Sequence, residues 1–179
     1  MEYITDILYW ISSGLLVPVI VVLILLFLRS LILIGGFFGQ YLSVSKNGGH
    51  TPLGLAYTNK VKAEGSKAKV KHLLAQFEIE ADKDLATSKM LAKLGPMLGL
   101  MGTLIPMGPA LAGLSSGDIE SMARNMQLAF ATTVTGLVAA AIGYVTQQIK
   151  QRWYLNDMIE MEYLSDTKEK SEHSNNSKY

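Results

Sequence analysis

The sequence predicts an all-α integral membrane protein in which three transmembrane helices carry cytoplasmic helical extensions. Only 17% of its 179 residues are Asp, Glu, Lys or Arg, whereas soluble domains average about 25%. Three long windows contain no charge: Ile7 to Leu28, Leu94 to Gly117 and Asn125 to Ile149, of 22, 24 and 25 residues. Because about 20 apolar residues cross a bilayer as a helix, each window predicts one membrane span.

The first segment, residues 1–38, contains the N-terminal span. Its opening residues include Glu2 and Asp6 but no Lys or Arg, so it lacks the basic start of a cleavable signal peptide. Arg29 marks a predicted membrane edge, yet apolar residues resume from Leu31 to Phe38. The sequence leaves open whether this second stretch stays in the membrane or lies along its surface.

The second segment, residues 39–93, predicts the orientation of the chain. From Gln40 to Lys93 it contains nine lysines and five acidic residues. Since cytoplasmic loops carry an excess of Lys and Arg, we expect this segment inside the cell and the N-terminus outside. Ser45 to Pro52 reads as a glycine-rich loop, and apolar residues at helical intervals from Leu73 onward predict a helix that continues into the second span.

The third segment, residues 94–150, holds the second and third spans and a short external loop. Lys150 and Arg152 follow the third span directly, which agrees with a cytoplasmic C-terminus. The last segment, residues 151–179, begins as a helical extension. From Ser165 to Tyr179 it is rich in Lys, Glu, Ser and Asn with almost nothing apolar, so its composition predicts a disordered tail.

Small residues form one face of each of the last two spans on a helical wheel. The predicted helix-packing positions are Gly99, Gly102, Pro106, Gly136, Ala140 and Gly143. Helices associate in a membrane through close approach of small residues and through hydroxyl hydrogen bonds. Because such a face suits neither lipid nor complete burial within one three-helix chain, we expect it to line the inner wall of a homo-oligomeric ring. In a simpler interpretation, the glycines only permit packing and the nearby threonines only bond their own helix.

Two stretches resemble the MotA/TolQ/ExbB proton-channel family. Residues 94–104 read L-G-P-M-L-G-L-M-G-T-L, similar to the family's A-P-L-L-G-L-L-G-T-V. Residues 128–140 read L-A-F-A-T-T-V-T-G-L-V-A-A, similar to its E-A-L-x-x-T-A-x-G-L-x-x-A. The resemblance implies a multi-pass subunit of the cytoplasmic (inner) membrane that forms a ring, commonly a pentamer. It also implies a single-span partner of the ExbD/TolR/MotB type with one membrane Asp, and ion flow that moves one component against the other.

Carried over by this resemblance, Thr103 and Thr133 match the family's two threonines and are expected to line the ion path beside the partner's carboxylate. The family's Glu falls on Leu128, with Gln127 as the nearest polar residue. No span contains Asp, Glu, His or Lys, and a threonine hydroxyl does not exchange protons near neutral pH. The proton carrier must therefore come from another polypeptide, and a hydroxyl-lined path suits either H⁺ or Na⁺.

Other functions have little support in the sequence. His50, His72 and His173 match no metal-binding spacing and are interpreted as solvated. There is no cysteine, no nucleophile with a matched base and no phosphate-binding loop, so we expect neither an enzyme nor a cofactor. The chain lacks the basic arm that nucleic acid requires. The remaining alternative is a non-conducting oligomeric membrane scaffold, which the lack of a neighbouring gene for a single-span protein with an Asp would favour.

Overall fold

The computed structural model describes residues 2–46, 48–63 and 67–176, and these form four helices with no strand. The helices are α1 (Glu2–Lys46), α2 (Pro52–Ala63), α3 (Lys67–Ser115) and α4 (Ile119–Asn176). Three stretches are long and apolar enough to cross a membrane, namely Gly14–Lys46, Lys69–Ser115 and Ile119–Thr167. The all-α class with three membrane-spanning helices is therefore confirmed.

Helix α1 is continuous across the position where the sequence predicts a membrane edge. It passes Pro18 and Arg29 without interruption, and residues 31–38 continue the same helix. Ser30 is fully buried, and its hydroxyl donates to the carbonyl of Phe27 at 2.7 Å. This local bond satisfies the hydroxyl within its own helix, as membrane-embedded serines require.

Helix α2 is a short element that the sequence interpretation did not include. It follows the predicted glycine-rich loop, in which Gly48 and Gly49 adopt φ of 68° and 97°, values that favour residues without a Cβ. Thr51 caps the helix, since its Oγ1 accepts the Gly54 N–H at 2.9 Å. Pro52 then occupies the first helical position, where its missing N–H removes no hydrogen bond.

Two compact units are built from residues distant in sequence. Unit 1 contains Met1–Ile34 and Ser88–Val145, and unit 2 contains Gly35–Thr87 and Thr146–Tyr179. Helices α1, α3 and α4 each contribute a segment to both units. The core of unit 2 is a cluster of large side chains: Tyr57, Val61, Val70, Phe77, Ala81, Leu85, Tyr154 and Met161.

Helix α4 extends into the tail that the composition predicts to be disordered. Helix α4 continues to Asn176, so residues 165–176 are helical, while residues 177–179 lie outside the described part of the chain. Glu and Lys, which are frequent in this stretch, are good helix formers. Extending an existing helix adds one hydrogen bond per residue without a new nucleation step, which composition alone does not reveal.

Candidate ion-conducting site

Helices α3 and α4 approach each other through glycine in unit 1. A Cβ built on Gly136 would lie 2.6 Å from the carbonyl oxygen of Gly95 and 2.9 Å from the Cα of Gly99. A Cβ on Gly95 would likewise lie 2.7 Å from the Gly136 carbonyl oxygen. Because these neighbours are backbone atoms that cannot rotate away, only glycine fits at this crossing.

The same kind of contact recurs along the pair of helices, and we call it the glycine seam. A Cβ on Gly102 would lie 2.6 Å from the Thr132 Oγ1, and one on Gly143 would lie 2.7 Å from the Leu91 Cβ. At Gly99 the fit is looser, because its Cβ would lie 3.5 Å from the Cα of Thr133, an ordinary van der Waals distance. The seam therefore has no room for a Cβ at its tight glycines but has room for one at Gly99.

The six predicted helix-packing residues are all buried within one chain. Gly99, Gly102 and Pro106 of α3 lie on the buried side of that helix, as do Gly136, Ala140 and Gly143 of α4. The expectation that one three-helix chain cannot bury the small face is wrong, because the small faces of α3 and α4 cover each other.

Thr133 is half-buried at the edge of the seam. Its Oγ1 donates to the carbonyl of Ala129 at 3.0 Å in its own helix and lies 3.5 Å from the carbonyl of Gly99 in α3. The neighbouring Thr132 is buried, and its hydroxyl donates to the Ala129 carbonyl at 2.9 Å. Of these two threonines, Thr133 is therefore the one that remains partly exposed.

The structure does not join Thr103 to Thr133 directly. Thr103 is half-buried and donates to the carbonyl of Leu100 at 2.7 Å, and Thr135 donates to the carbonyl of Ala131 at 2.8 Å. Each threonine hydroxyl has one proton and two lone pairs. With the proton given to the helix backbone, the oxygen is left as an acceptor, which suits a cation or the O–H of a protonated carboxyl.

An ion pair in unit 2 lies just beyond the charge-free window of α4. Asp84 Oδ2 accepts from Lys150 Nζ at 2.8 Å and from Tyr154 Oη at 2.6 Å. Burial raises the pKa of Asp84, but the hydrogen bonds and the positive charge of Lys150 outweigh it, so the pKa lies below the usual value. Burial and the same carboxylate raise the pKa of Tyr154.

A second carboxylate of unit 2, Asp157, anchors the start of α2. Its side chain is 1% exposed and accepts from both the backbone N–H, at 3.1 Å, and the hydroxyl of Thr51. His50 Nδ1 lies 2.9 Å from Asp157 Oδ1 and 3.2 Å from Glu160 Oε2. A Cβ on Gly54 would overlap the Asp157 carboxylate. His50 therefore forms a side-chain hydrogen bond with Asp157, and the prediction that it is only a solvated surface residue is wrong.

The other two histidines differ from His50. His72 lies on the exposed side of α3, where its ring nitrogen is 3.1 Å from the side-chain nitrogen of Gln76. The side chain of His173 lies outside the described residues. Within the described part of the chain, no three His, Asp or Glu residues are arranged to hold a metal ion.

The model of the MotA/TolQ/ExbB proton channel family matches residues 44–163. The chain belongs to this family. The match includes α2, α3 and most of α4, and so covers the glycine seam, both predicted threonines and the two carboxylate clusters. Neither the curated proteins nor the solved structures contain a match to this chain. The family is one of membrane channels and energisers rather than of enzymes.

As a member of the MotA/TolQ/ExbB family, this chain departs from the family pattern at one polar position. The family's Glu falls on Leu128, which is half-buried on α4, and the adjacent Gln127 is exposed. Leu128 lies one turn before Thr132 and supplies a carbonyl to its hydroxyl at 3.1 Å.

Proposed function

We propose that this chain is the ring-forming subunit of an ion-driven membrane energiser, in which H⁺ or Na⁺ flow does mechanical work through a single-span partner. One observation carries the proposal. The chain belongs to a proton-channel family, yet its charge-free membrane spans contain no Asp, Glu, His or Lys. A channel of this kind needs a titratable group in the membrane, because hydroxyls do not exchange protons near neutral pH. The partner's membrane Asp supplies that group.

In this proposal Thr103 and Thr133 line the ion path. Because each hydroxyl donates its proton to a backbone carbonyl, its oxygen acts as an acceptor. It accepts the O–H of the partner's Asp when that carboxyl is protonated, or it coordinates Na⁺ directly. A carboxyl at bilayer depth is costly unless hydrogen-bonding groups surround it. The threonines therefore stabilise the partner's Asp inside the membrane.

The orientation is part of the same proposal. The excess of nine lysines over five acids from Gln40 to Lys93 supports a cytoplasmic location for α2 and the first part of α3, together with the end of α4. Single cysteines at Lys71 and Ser116, in a chain with no native cysteine, test this directly. We expect a membrane-impermeant thiol reagent added to intact cells to label Ser116→Cys and not Lys71→Cys. The reverse pattern contradicts the orientation.

The ring, which we expect to be pentameric, uses surfaces other than the glycine seam. Large apolar residues remain exposed on the outer sides of both helices, such as Leu100 and Leu104 on α3 and Val134 and Leu137 on α4. In the membrane these surfaces contact lipid or a neighbouring copy. The seam gives each subunit a rigid two-helix wall, and the outer surfaces join the walls.

A non-conducting scaffold is the second candidate function, and one observation favours it. Four threonine hydroxyls of the paired spans donate to their own helix: Thr103, Thr132, Thr133 and Thr135. This is the arrangement expected of threonines with a purely structural role. The scaffold also forms an oligomer but carries no ions, so conduction separates the two functions.

The test is ion flux through the complex reconstituted in liposomes. The chain is expressed with a single-span protein of the ExbD/TolR/MotB type. Proton and sodium uptake are measured under an imposed gradient, and oligomer mass is measured by native mass spectrometry. We expect a ring and a flux that disappears when the partner's membrane Asp is changed to Asn. A stable ring without flux of either ion, with the partner bound, supports the scaffold and contradicts the motor.

A further inference from the structure

An apolar surface on α4 lies exposed beyond the membrane span. Leu155, Ile159 and Tyr163, which we call the α4 ridge, are 51%, 59% and 69% exposed and follow one another at the four-residue spacing of a helix face. They lie 6, 10 and 14 residues after Ile149, or about 9 to 21 Å along the helix axis. Lys150 and Arg152 lie between the ridge and the span, so lipid tails do not cover it.

A matching surface lies on α3 in the same unit. Glu78, Ile79, Asp82, Lys83 and Ala86 line a shallow depression of about 410 Å³, which we call the α3 groove. Ile79 is 56% exposed. The groove is lined by two apolar side chains, Ile79 and Ala86, and by two carboxylates and one ammonium, so a partner surface that fits it must offer both apolar and basic groups.

The ridge and the groove lie on opposite sides of the α3 and α4 pair. The side of α3 that carries Phe77 and Leu85 is buried in the core of unit 2, and the groove lies on the other side of that helix. On α4, Tyr154 and Met161 are buried in the same core, and the ridge lies on the other side. Two complementary surfaces that face away from each other cannot meet within one chain.

The ridge and the groove also lie at the same level along the helices. The ring of Phe77 is 6.0 Å from that of Tyr154, and Asp84 pairs with Lys150. In this antiparallel register, the groove lies at the same level along the helix axis as Arg152 and the first ridge residue, Leu155, although it faces the opposite side.

The net charges at these levels have opposite signs on the two surfaces, although Lys83 of the groove shares the sign of Arg152. Glu78 and Asp82 of the groove lie level with Arg152 of α4. Further from the membrane, the exposed Lys71 of α3 lies level with the exposed Glu162 of α4. Opposite charges at both levels favour one register between the two surfaces and disfavour a shifted one.

We infer that neighbouring copies dock outside the membrane, with the α4 ridge of one copy in the α3 groove of the next. The inference rests on the proposed ring. Rotation about an axis along the membrane normal keeps every residue at its own level, so a cyclic ring brings ridge and groove together without a vertical shift. A head-to-tail contact of this kind closes into a ring rather than a two-fold dimer. Each subunit thereby contributes its ridge to one contact and its groove to another.

Cysteine cross-linking of the full chain with its partner tests the inference. The double variant Ile79→Cys with Leu155→Cys places thiols at the centres of both surfaces, and the native chain contributes none. Oxidation or a short bis-maleimide should join successive copies into a covalent ladder up to the full ring. The matched control pairs Ile79→Cys with Asn156→Cys, which is also exposed but turned about 100° around the helix. We expect little ladder from this control.

Ring mass and ion flux of the reduced double variant separate the possible failures. A ring that conducts but gives no more ladder than the control shows that something else covers the ridge, and it overturns the inference while the proposed function stands. A chain that forms no ring in native mass spectrometry overturns both. A ladder that ends at the full ring, with flux retained, supports the inference.

Discussion

Units 1 and 2 pack the same two helices by different means. In unit 1, α3 and α4 meet through glycines such as Gly95 and Gly136, whose neighbours are backbone atoms. In unit 2, they meet through large aromatic rings, with Phe77 at 6.0 Å from Tyr154, and through the Asp84 and Lys150 ion pair. The difference follows from the solvent: lipid gives no hydrophobic drive to bury large side chains, so close backbone approach holds the helices there, whereas water rewards burial of aromatic rings.

The largest expected loss of stability comes from adding one methyl group to the glycine seam of unit 1. Gly136→Ala forces a Cβ to within 2.6 Å of a backbone oxygen, so we expect it to cost about 3 kcal/mol or more, at the upper end of overpacking effects. The free energy of unfolding in micelles, measured by SDS titration with circular dichroism, checks this.

Two glycines of α3 provide the controls for this variant. Gly108→Ala meets nothing within 4 Å, so we expect no loss of stability. Gly99→Ala meets Thr133 only at ordinary contact distance and should be mild. Equal effects of Gly136→Ala and Gly108→Ala would contradict the account of the seam.

In unit 2 the corresponding tight position depends on a side chain rather than on backbone. Gly54→Ala overlaps the Asp157 carboxylate, and Asp157→Ala leaves the buried N–H and hydroxyl of Thr51 without their acceptor, at a cost of about 1 to 3 kcal/mol. Because removal of the carboxylate also makes room for the methyl group, the double variant should be less destabilised than the two single effects added together.

A double-mutant cycle on thermal unfolding measures this coupling. Gly39→Ala, which meets nothing within 4 Å in the same unit, is the control and should behave additively with Asp157→Ala. Strict additivity of Gly54→Ala with Asp157→Ala would show that Asp157 does not occupy the space above Gly54.

The smallest expected effect concerns the ion pair of unit 2. The pKa of Asp84 lies below the usual value of an Asp carboxyl, so the carboxylate contributes stability above that usual value and loses it as the pH falls through the lower folded-state pKa. Asp84→Asn should therefore lower the melting temperature at pH 7, with the difference from the native chain shrinking below about pH 4. Asp166→Asn, on an exposed residue, is the control. A difference that does not change with pH would exclude the ion pair as its cause.

The sequence predicts the unit 1 helices better than the contacts of unit 2. Charge-free windows mark the spans, and small residues at helical spacing mark the faces of α3 and α4 that meet. The start of α2 was not predicted, although Thr51 followed by Pro52 is a capping pair that marks it. The role of Asp157 was not, since it bonds a residue 106 positions away and nothing local distinguishes it from a solvated carboxylate.

The sequence also did not predict that the small faces of α3 and α4 are buried against each other within one chain. A wheel shows that Gly99 and Gly136 lie on small-residue faces, but not whether those faces meet in the same chain or between copies. The Cβ distances at the seam decide this, because they require contact between α3 and α4 of one chain. The threonines beside the seam therefore have a fixed backbone around them, which is what an ion path requires.

Ion flux through reconstituted complexes of Thr133→Val and Thr135→Val tests whether Thr133 lines the ion path. Valine keeps the shape of threonine and removes only the hydroxyl, and both hydroxyls donate to their own helix. If Thr133 lines the ion path, its valine variant should keep the ring mass and lose about tenfold or more in flux, since loss of a buried polar partner costs about 1 to 3 kcal/mol. Thr135→Val should conduct like the native complex. Equal flux from both variants, with partner and ring intact, would contradict the ion-path assignment and favour the scaffold.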